Sequence, residues 1–291
     1  MDRPAALLEF KNPFRHERGV VRLFAPPDAD RAQIAQRLVE GTWDRPYVID
    51  DGVMRELYFR REMVQSGMRL DDPWALDFAY TQLAMAFLLF RPDPRRILLL
   101  GLGGGSLAKF CHLHLPQAEV TAVEIDADVI ALRDQFLVPP DGPLLRVVHD
   151  DAARFVAREG EFDAIVLDCF DAEGYSPSVS TRTFYQDARD ALAAKGVLVT
   201  NLAGKREERV ERLDLVRAAF GDNILLLPDK DDGNLVAFAF RDANFEPRWR
   251  WMAGESRALQ SRYGLDYPRF AAKLERSRKL RYLERMMGEA P

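Results

Sequence analysis

The chain contains the run Ile97-Leu98-Leu99-Leu100-Gly101-Leu102-Gly103-Gly104-Gly105, followed later by Val120-Thr121-Ala122-Val123-Glu124. These runs predict a buried strand, a glycine loop, a helix, and a second buried strand that ends in a carboxylate. Glycine lets the backbone turn sharply and approach a ligand closely, because it has no β-carbon. Glu124 at the end of the second strand is placed to accept hydrogen bonds from two ribose hydroxyls. The stretch therefore predicts a site for a nucleoside-containing cofactor.

The composition is that of an ordinary soluble protein, with 30% charged and 47% hydrophobic residues among 291. A net charge of -5 argues against nucleic acid as a partner and mildly favours a cationic substrate. Cys111 and Cys169 are isolated, so they indicate neither a disulfide framework nor a zinc site and fit a reducing compartment. Since no signal peptide or membrane-spanning run is evident, we expect a cytoplasmic protein without a membrane partner or a metal.

Residues 1–72 predict a small N-terminal β-rich domain. Residues 20–24 form one strand candidate, and residues 47–59 form a hairpin whose turn contains Asp51-Gly52. Residues 30–40 predict a helix between them.

Residues 73–243 predict a nucleoside-binding domain in which strands and helices alternate after a helical segment at 73–90. The predicted strands are 97–100, 120–124, 144–148, 164–168, 197–201, 224–227 and 235–240. The predicted helices are 106–114, 127–136, 152–158, 181–194 and 207–220. Such alternation gives a mostly parallel sheet with helices on both faces.

The last two predicted strands lack a helix between them and should pair antiparallel, which is typical of class I methyltransferase-like sheets. We therefore expect an α/β fold with a methyltransferase-like (Rossmann-like), seven-stranded, mostly parallel sheet and an antiparallel final hairpin. Residues 244–291 predict a C-terminal helical tail, with helix from 269 to 287.

Acidic residues follow two further strands of the predicted sheet. Asp150 and Asp151 precede a predicted helix, so one aspartate is expected to cap that helix and the other to meet an adenine amino group. Asp168 and Asp171 follow the fourth strand, where ligands of open α/β sheets bind. Two carboxylates there can hold an ammonium group, and one can remove its proton so that nitrogen attacks as a neutral nucleophile.

These pieces together resemble the spermidine synthase (polyamine aminopropyltransferase) family over roughly residues 45–240. The resemblance implies that Gln65, Glu124, Asp151 and Ala152 bind the cofactor beside Gly101, Gly103 and Gly105. It implies that Asp168 and Asp171 are catalytic, with Asp171 as the base, and that Tyr80 and Tyr175 contact the substrate. Thr183-Phe184-Tyr185 and the strand ending in Thr200-Asn201 resemble two further motifs of the family. The family also implies decarboxylated S-adenosylmethionine as cofactor, a small-molecule amine as substrate, and assembly as dimers or tetramers, of which a homodimer is one form.

Four positions, in three motifs, depart from the family pattern. Gly104 stands where the family has an aspartate that helps to hold the aminopropyl end of the cofactor. Thr81-Gln82 replaces a histidine and a glutamate, and Ala172 replaces a proline. A site with fewer carboxylates should bind a dication less well, since each close charge pair contributes about 1–3 kcal/mol.

The leading hypothesis is therefore an aminopropyltransferase of the spermidine synthase type. An alternative uses intact S-adenosylmethionine as a methyl donor, because Gly104 removes a carboxylate that would repel the carboxylate of that cofactor. A second alternative is a nucleoside-binding homologue without catalytic activity. A nicotinamide dehydrogenase is disfavoured by the final hairpin and by Ser106, which stands where a dinucleotide fingerprint has its last glycine.

Overall fold

Two β-sheets organise the described part of the chain. The computed structural model describes residues 5–14, 18–171, 174–229 and 234–289, and of Asp171 it describes the backbone only. The smaller sheet comes first in the sequence, and the larger sheet follows from residue 96 onward.

The smaller sheet is antiparallel, with its strands in sequence order. Its strands are β1 (Ala6–Lys11), β2 (Val20–Ala25), β3 (Tyr47–Asp50), β4 (Met54–Arg60) and β5 (Met63–Arg69). The predicted strand and hairpin correspond to β2, β3 and β4, whereas β1 and β5 were not predicted. The predicted helix is α1 (Arg31–Glu40), and the Asp30 side chain caps it by accepting from the amide of Ala32.

The larger sheet has the architecture expected from the sequence. Before its strands comes α2 (Ala79–Ala84), and the chain then alternates between strands and helices. The elements are β6 (Arg96–Leu100), α3 (Ser106–His114), β7 (Glu119–Glu124), α4 (Ala127–Ala131), β8 (Leu145–His149), α5 (Ala152–Val156), β9 (Phe162–Leu167), β10 (Phe170–Asp171), β11 (Gly174–Tyr175), α6 (Arg182–Ala191), β12 (Leu192–Leu202), α7 (Arg206–Phe220), β13 (Ile224–Pro228) and β14 (Leu235–Phe240).

The strand order of the larger sheet, across the described residues, is β13-β14-β12-β9-β6-β7-β8. The strands from β12 to β8 are parallel, and β14 pairs antiparallel with both of its neighbours. The prediction of a mostly parallel sheet with an antiparallel final hairpin is therefore confirmed. The short strands β10 and β11 form a separate antiparallel pair.

Hydrophobic clusters cover both faces of the larger sheet. Leu98 and Leu100 belong to one cluster, while Ile97 and Leu99 belong to the other. This division follows from the alternation of side chains along a strand, so a continuous apolar run indicates burial on both faces. The second of these clusters also contains Met68 from the smaller sheet.

The segment 73–90 is less helical than the sequence predicts. Regular helix begins at Ala79 and is followed by a 3-10 segment, Met85–Leu89. Residues before the helix are held by side chains instead, since Gln82 Nε2 donates to the Leu76 carbonyl at 2.7 Å. The predicted helical segment is therefore helical only from Ala79 onward, and before it side-chain bonds to the backbone take the place of helical ones.

The C-terminal tail contains more helix than the sequence predicts. Its helices are α8 (Trp249–Tyr263), α9 (Tyr267–Lys279) and α10 (Tyr282–Met286). The buried face of α8 includes Ser256 and Tyr263, so its apolar periodicity is weak. None of the helices in the described ranges is both long and apolar enough to span a bilayer.

Candidate active site

A cavity of about 440 Å³ lies beyond the carboxyl ends of β6, β7 and β9, and β4 and β5 of the smaller sheet contribute to its wall. This is where open α/β sheets bind their ligands. The lining residues are Phe59, Gln65, Ser66, Tyr80, Thr81, Leu99, Gly101, Leu102, Gly103, Ser106, Leu107, Ala108, Val123, Glu124, Ile125, Asp150, Asp151, Ala152, Asp168, Cys169, Phe170, Ser176, Pro177 and Ser178.

The glycine loop brings the end of β6 against the end of β9. Gly101 has a φ of +96°, and a β-carbon there would lie 2.3 Å from the backbone oxygen of Asp168. Gly103 also faces the cavity. Gly105 does not line it, because Gly105 begins α3 and packs against Val138. Gly105 was predicted to bind the cofactor beside Gly101 and Gly103. In the structure it shapes the turn into α3 and is not among the described lining residues.

Glu124 closes the end of β7 beside this loop. Its Oε2 accepts from the amide of Leu102 and its Oε1 from the amide of Asp126, both at 3.0 Å. Burial raises the pKa of the Glu124 carboxyl, and the two amide donors oppose that shift. Each oxygen keeps a further lone pair with which it can accept a hydroxyl hydrogen.

Both aspartates after β8 line the cavity, and their side chains have different partners. Asp151 is itself the cap of α5, since its Oδ1 accepts from the amide of Arg154 at 2.9 Å. Asp150 pairs with the guanidinium groups of Arg154 and Arg158. The expectation that one aspartate caps the helix is therefore confirmed for Asp151. The expectation that an aspartate meets an adenine amino group stays a prediction, and the residue matched to the family's adenine acid is the capping residue itself.

Asp168 lies directly after β9 at the inner end of the cavity. The hydroxyl of Tyr80 donates to its Oδ2 at 3.0 Å, and Asn201 Nδ2 donates to its Oδ1 at 3.2 Å. Burial raises the pKa of the Asp168 carboxyl, and these two hydrogen bonds oppose the shift. Burial, together with the nearby Asp168, also raises the pKa of Tyr80 well above its ordinary value, so Tyr80 stays protonated as a donor.

The charged side chains of the described cavity lining are all acidic. The described part of that lining contains the carboxylates of Glu124, Asp150, Asp151 and Asp168, and it contains no lysine, arginine or histidine side chain. Asp150 is balanced by arginines, whereas Asp168 is held by neutral donors. A cationic ligand is the group that would balance Asp168.

The predicted substrate residue Tyr175 is not among the described residues that line the cavity. Tyr175 turns away from it, and its hydroxyl bonds to Thr200 Oγ1 at 2.9 Å and to the carbonyl of Asn201 at 2.6 Å. The geometry therefore does not support Tyr175 as a substrate contact. Asp171 lies in β10, but its side chain is outside the described residues, as are Ala172 and the loop 230–233.

Several residues at the site were not predicted from the sequence. Ser66 and Phe59 come from β5 and β4, and Thr81 follows Tyr80 on α2. Asn201 was matched only as part of a strand motif, yet it holds Asp168. The available signal was its position at the carboxyl end of β12, which is the neighbour of β9 in the sheet.

Gly104 has no space for a side chain in this structure. A β-carbon there would lie 2.7 Å from Ser66 Oγ and 2.9 Å from Phe136 Cδ1. Phe136 is 1% exposed, and its carbonyl accepts from Lys109 Nζ at 2.8 Å. The volume that an aspartate would need at this position is thus filled by neighbouring side chains.

Comparison with known proteins agrees with this geometry. Residues 77–216 match the spermine/spermidine synthase domain family. The polyamine aminopropyltransferase of Chromobacterium violaceum is 34% identical over 232 residues, which cover 79% of this chain and 89% of that protein. This chain belongs to the polyamine aminopropyltransferase (spermidine synthase) family.

Further relatives agree. The polyamine aminopropyltransferase of Neisseria meningitidis serogroup A is 34% identical over 236 residues, covering 79% of this chain and 89% of its own length. A probable spermidine synthase from Corynebacterium glutamicum has a TM-score of 0.60 at 20% identity, with 79% of this chain and 91% of that chain covered. At that identity the likeness shows the shared fold.

The aminopropyltransferase pattern is altered at the helix that carries Tyr80. Thr81 is 4% exposed and its Oγ1 donates to the carbonyl of Phe78 at 2.6 Å. Gln82 is bonded to the Leu76 carbonyl and is not among the lining residues. Neither residue therefore supplies the charge that a family histidine or glutamate would supply.

Among the described residues, no cluster of three or more metal-ligating side chains is found.

Proposed function

We propose that this protein transfers the aminopropyl group of decarboxylated S-adenosylmethionine to a small amine. The amine nitrogen forms a bond to the propyl carbon next to the sulfonium, and the carbon–sulfur bond breaks. 5′-Methylthioadenosine leaves with the bonding electrons, and the proton of the attacking nitrogen passes to a base. Such a displacement needs mainly positioning and a neutral nucleophile.

The observation that carries this proposal is the environment of Asp168. Its carboxylate accepts from Tyr80 and Asn201, and the described cavity lining offers it no cationic side chain. A buried anion without a charged partner is costly, so a ligand ammonium is stabilised there. Intact S-adenosylmethionine brings an additional carboxylate, which this lining would repel.

We assign the roles as follows. Glu124 accepts from the ribose hydroxyls, and Asp151 with the amide of Ala152 binds the adenine ring. Gln65, Gly101 and Gly103 form the wall beside the aminopropyl substituent of the sulfonium. Asp168 holds an ammonium group, and Asp171 accepts the proton of the attacking nitrogen. The support is the common cavity of the described side chains and their match to the family pattern.

The direct test is to offer decarboxylated S-adenosylmethionine or intact S-adenosylmethionine with a panel of monoamines and diamines. Chromatography would separate 5′-methylthioadenosine from S-adenosylhomocysteine. We expect methylthioadenosine to form with the decarboxylated substrate and an amine. S-Adenosylhomocysteine from the intact cofactor, without methylthioadenosine, would support methyl transfer instead.

The control is Asp168→Asn, which keeps the size of the side chain and removes its charge. The carboxamide oxygen of the new asparagine can still accept from the Tyr80 hydroxyl. Its amide nitrogen can donate to Asn201 Oδ1 once the Asn201 amide has rotated, so we expect the fold to be retained. The KM for the amine should rise about 10- to 100-fold, since hydrogen bonds to charged groups contribute about 1.5–3 kcal/mol. An unchanged KM and kcat in this variant would remove Asp168 from the binding of the amine.

A further inference from the structure

The hydroxyl of Tyr175 connects the short β10–β11 hairpin to the end of β12. Tyr175 lies in β11, which pairs with β10 through Phe170, and Asp171 pairs with Gly174 in the same short ladder. Its hydroxyl reaches the end of β12, where it bonds to Thr200 Oγ1 and to the Asn201 carbonyl. Among the described contacts, this phenol bonds the hairpin that includes the backbone of Asp171 to the end of β12.

Asn201 is the common point of attachment. Its backbone carbonyl accepts from Tyr175 at 2.6 Å, and its side-chain Nδ2 donates to Asp168 at 3.2 Å. Asn201 is 7% exposed and Thr200 is fully buried, so both belong to the rigid end of β12. Asn201 thus bonds both to the Asp168 carboxylate and to the tyrosine of the hairpin whose backbone includes residue 171.

The ring of Tyr175 is packed independently of its hydroxyl. Phe170 meets it edge-on with ring centroids 4.6 Å apart, and the Arg212 guanidinium lies 3.9 Å from its centroid on the ring face. Replacement of the hydroxyl by hydrogen would leave both contacts in place. The role of the hydroxyl can therefore be separated from the role of the ring.

We propose that Tyr175 is a positioning residue, which anchors the β10–β11 hairpin to Thr200 and Asn201 and so sets Asp171 at a fixed distance from Asp168. This inference rests on the proposed function, in which these two acids act on the same amine. Tyr175 itself lies outside the described cavity lining, so the role proposed for it is indirect. It acts on catalysis only through the hairpin.

The test is Tyr175→Phe, measured with decarboxylated S-adenosylmethionine and the best amine of the panel. We expect kcat to fall at least about tenfold, because a misplacement of about 1 Å at a reacting group can lower a rate about 100-fold. The KM for decarboxylated S-adenosylmethionine should stay within about twofold, since Glu124 and Asp151 are not attached to this hairpin. A purely structural role would lower the amount of active protein without this separation of kcat from KM.

A matched control is Tyr263→Phe in α8. Tyr263 is 4% exposed and also has an arginine on its ring, Arg262, at 5.1 Å from the centroid. Its hydroxyl has no hydrogen-bond partner within the described ranges. The same chemical change there should leave kcat and KM unchanged. Thr200→Val should give a smaller loss of kcat than Tyr175→Phe, because the bond to the Asn201 carbonyl remains.

Hydrogen exchange provides a readout that does not depend on turnover. In Tyr175→Phe, the amides of residues 168–171 and 174–176 should exchange faster than in the wild type, including that of Ser176, which bonds to the Cys169 carbonyl at 3.2 Å. Unchanged exchange together with unchanged kcat would overturn the positioning role. A wild type without aminopropyl transfer would overturn the proposed function, and the exchange measurement would then decide the anchoring alone.

Discussion

Gly101 and Asp168 touch through their backbones, at a separation that leaves no room for a β-carbon on Gly101. Such an atom would lie 2.3 Å from the Asp168 carbonyl oxygen and 3.0 Å from its carbonyl carbon. The contact exists because β6 and β9 are neighbours, and the amide of Asp168 also donates to the carbonyl of Leu100 at 2.9 Å. The backbone of Asp168 can lie this close to the end of β6 because Gly101, directly after β6, has no side chain.

Gly101→Ala should therefore lower both stability and activity. We expect a loss of about 1–3 kcal/mol in the free energy of unfolding from the strained backbone at positive φ alone. Gly142→Ala is the control, since a β-carbon there meets no atom within 4 Å. Urea unfolding of both variants checks this, and equal stabilities would contradict the contact.

Asp151 should reveal separate roles in capping and in ligand binding. Asparagine caps helices as well as aspartate, whereas alanine does not. Asp151→Asn should therefore keep the free energy of unfolding within about 0.5 kcal/mol, and Asp151→Ala should lose about 1 kcal/mol. Both variants should bind 5′-methylthioadenosine about tenfold more weakly in calorimetry, because neither keeps a carboxylate for the adenine amino group. Wild-type affinity in Asp151→Asn would exclude that contact.

Restoring the family carboxylate at position 104 should require a second change. Gly104→Asp alone forces its β-carbon against Ser66 and Phe136, and overpacking of this kind destabilises by about 1–3 kcal/mol. Combination with Phe136→Leu should recover part of that loss, so the two changes should be non-additive in a double-mutant cycle. The double variant should also show a lower KM for decarboxylated S-adenosylmethionine than Phe136→Leu alone. Additive stabilities would mean that Phe136 does not occupy this space.

Lys109 should make stability depend on alkaline pH. Burial lowers the pKa of its ammonium to about 8 from an ordinary 10.5. Between these values the unfolded chain binds a proton that the folded chain does not, so the free energy of unfolding should increase as the pH rises from 8 to 10. A neutral amine still has two hydrogens for the carbonyls of Pro73 and Phe136. Denaturant titrations of the wild type and Lys109→Met should differ in this slope, and parallel curves would contradict it.

The larger sheet could be predicted because its signals are local. Short apolar runs that end at glycine or an acid, such as Ile97–Leu100, specify both a buried strand and its carboxyl end. The strand β5 was not predicted, since Ser66 and Gly67 have low strand propensity. It forms through its pairing with β4 and the close packing of Gly67 against Phe78, 3.3 Å from a β-carbon position.

The site was predictable where the backbone alone places a residue. Glu124, Asp151 and Asp168 follow parallel strands, so their convergence follows from topology. Tyr175 was misplaced because a residue on a short hairpin can face either way, and its direction is set by Thr200 and Asn201. The space beside Gly104 could not be foreseen either, since Phe136 reaches it from a distant part of the sequence.

The wall formed by Phe59, Gln65 and Ser66 limits how this enzyme can be divided. These residues precede the segment 77–216 that matches the family. An excised segment would therefore lack one wall of the cavity that the described residues of the whole chain form. Consider a chimera in which residues 77–216 replace the corresponding segment of a relative. The smaller sheet of that relative would still form one side of the cavity, so both proteins would contribute to substrate selectivity.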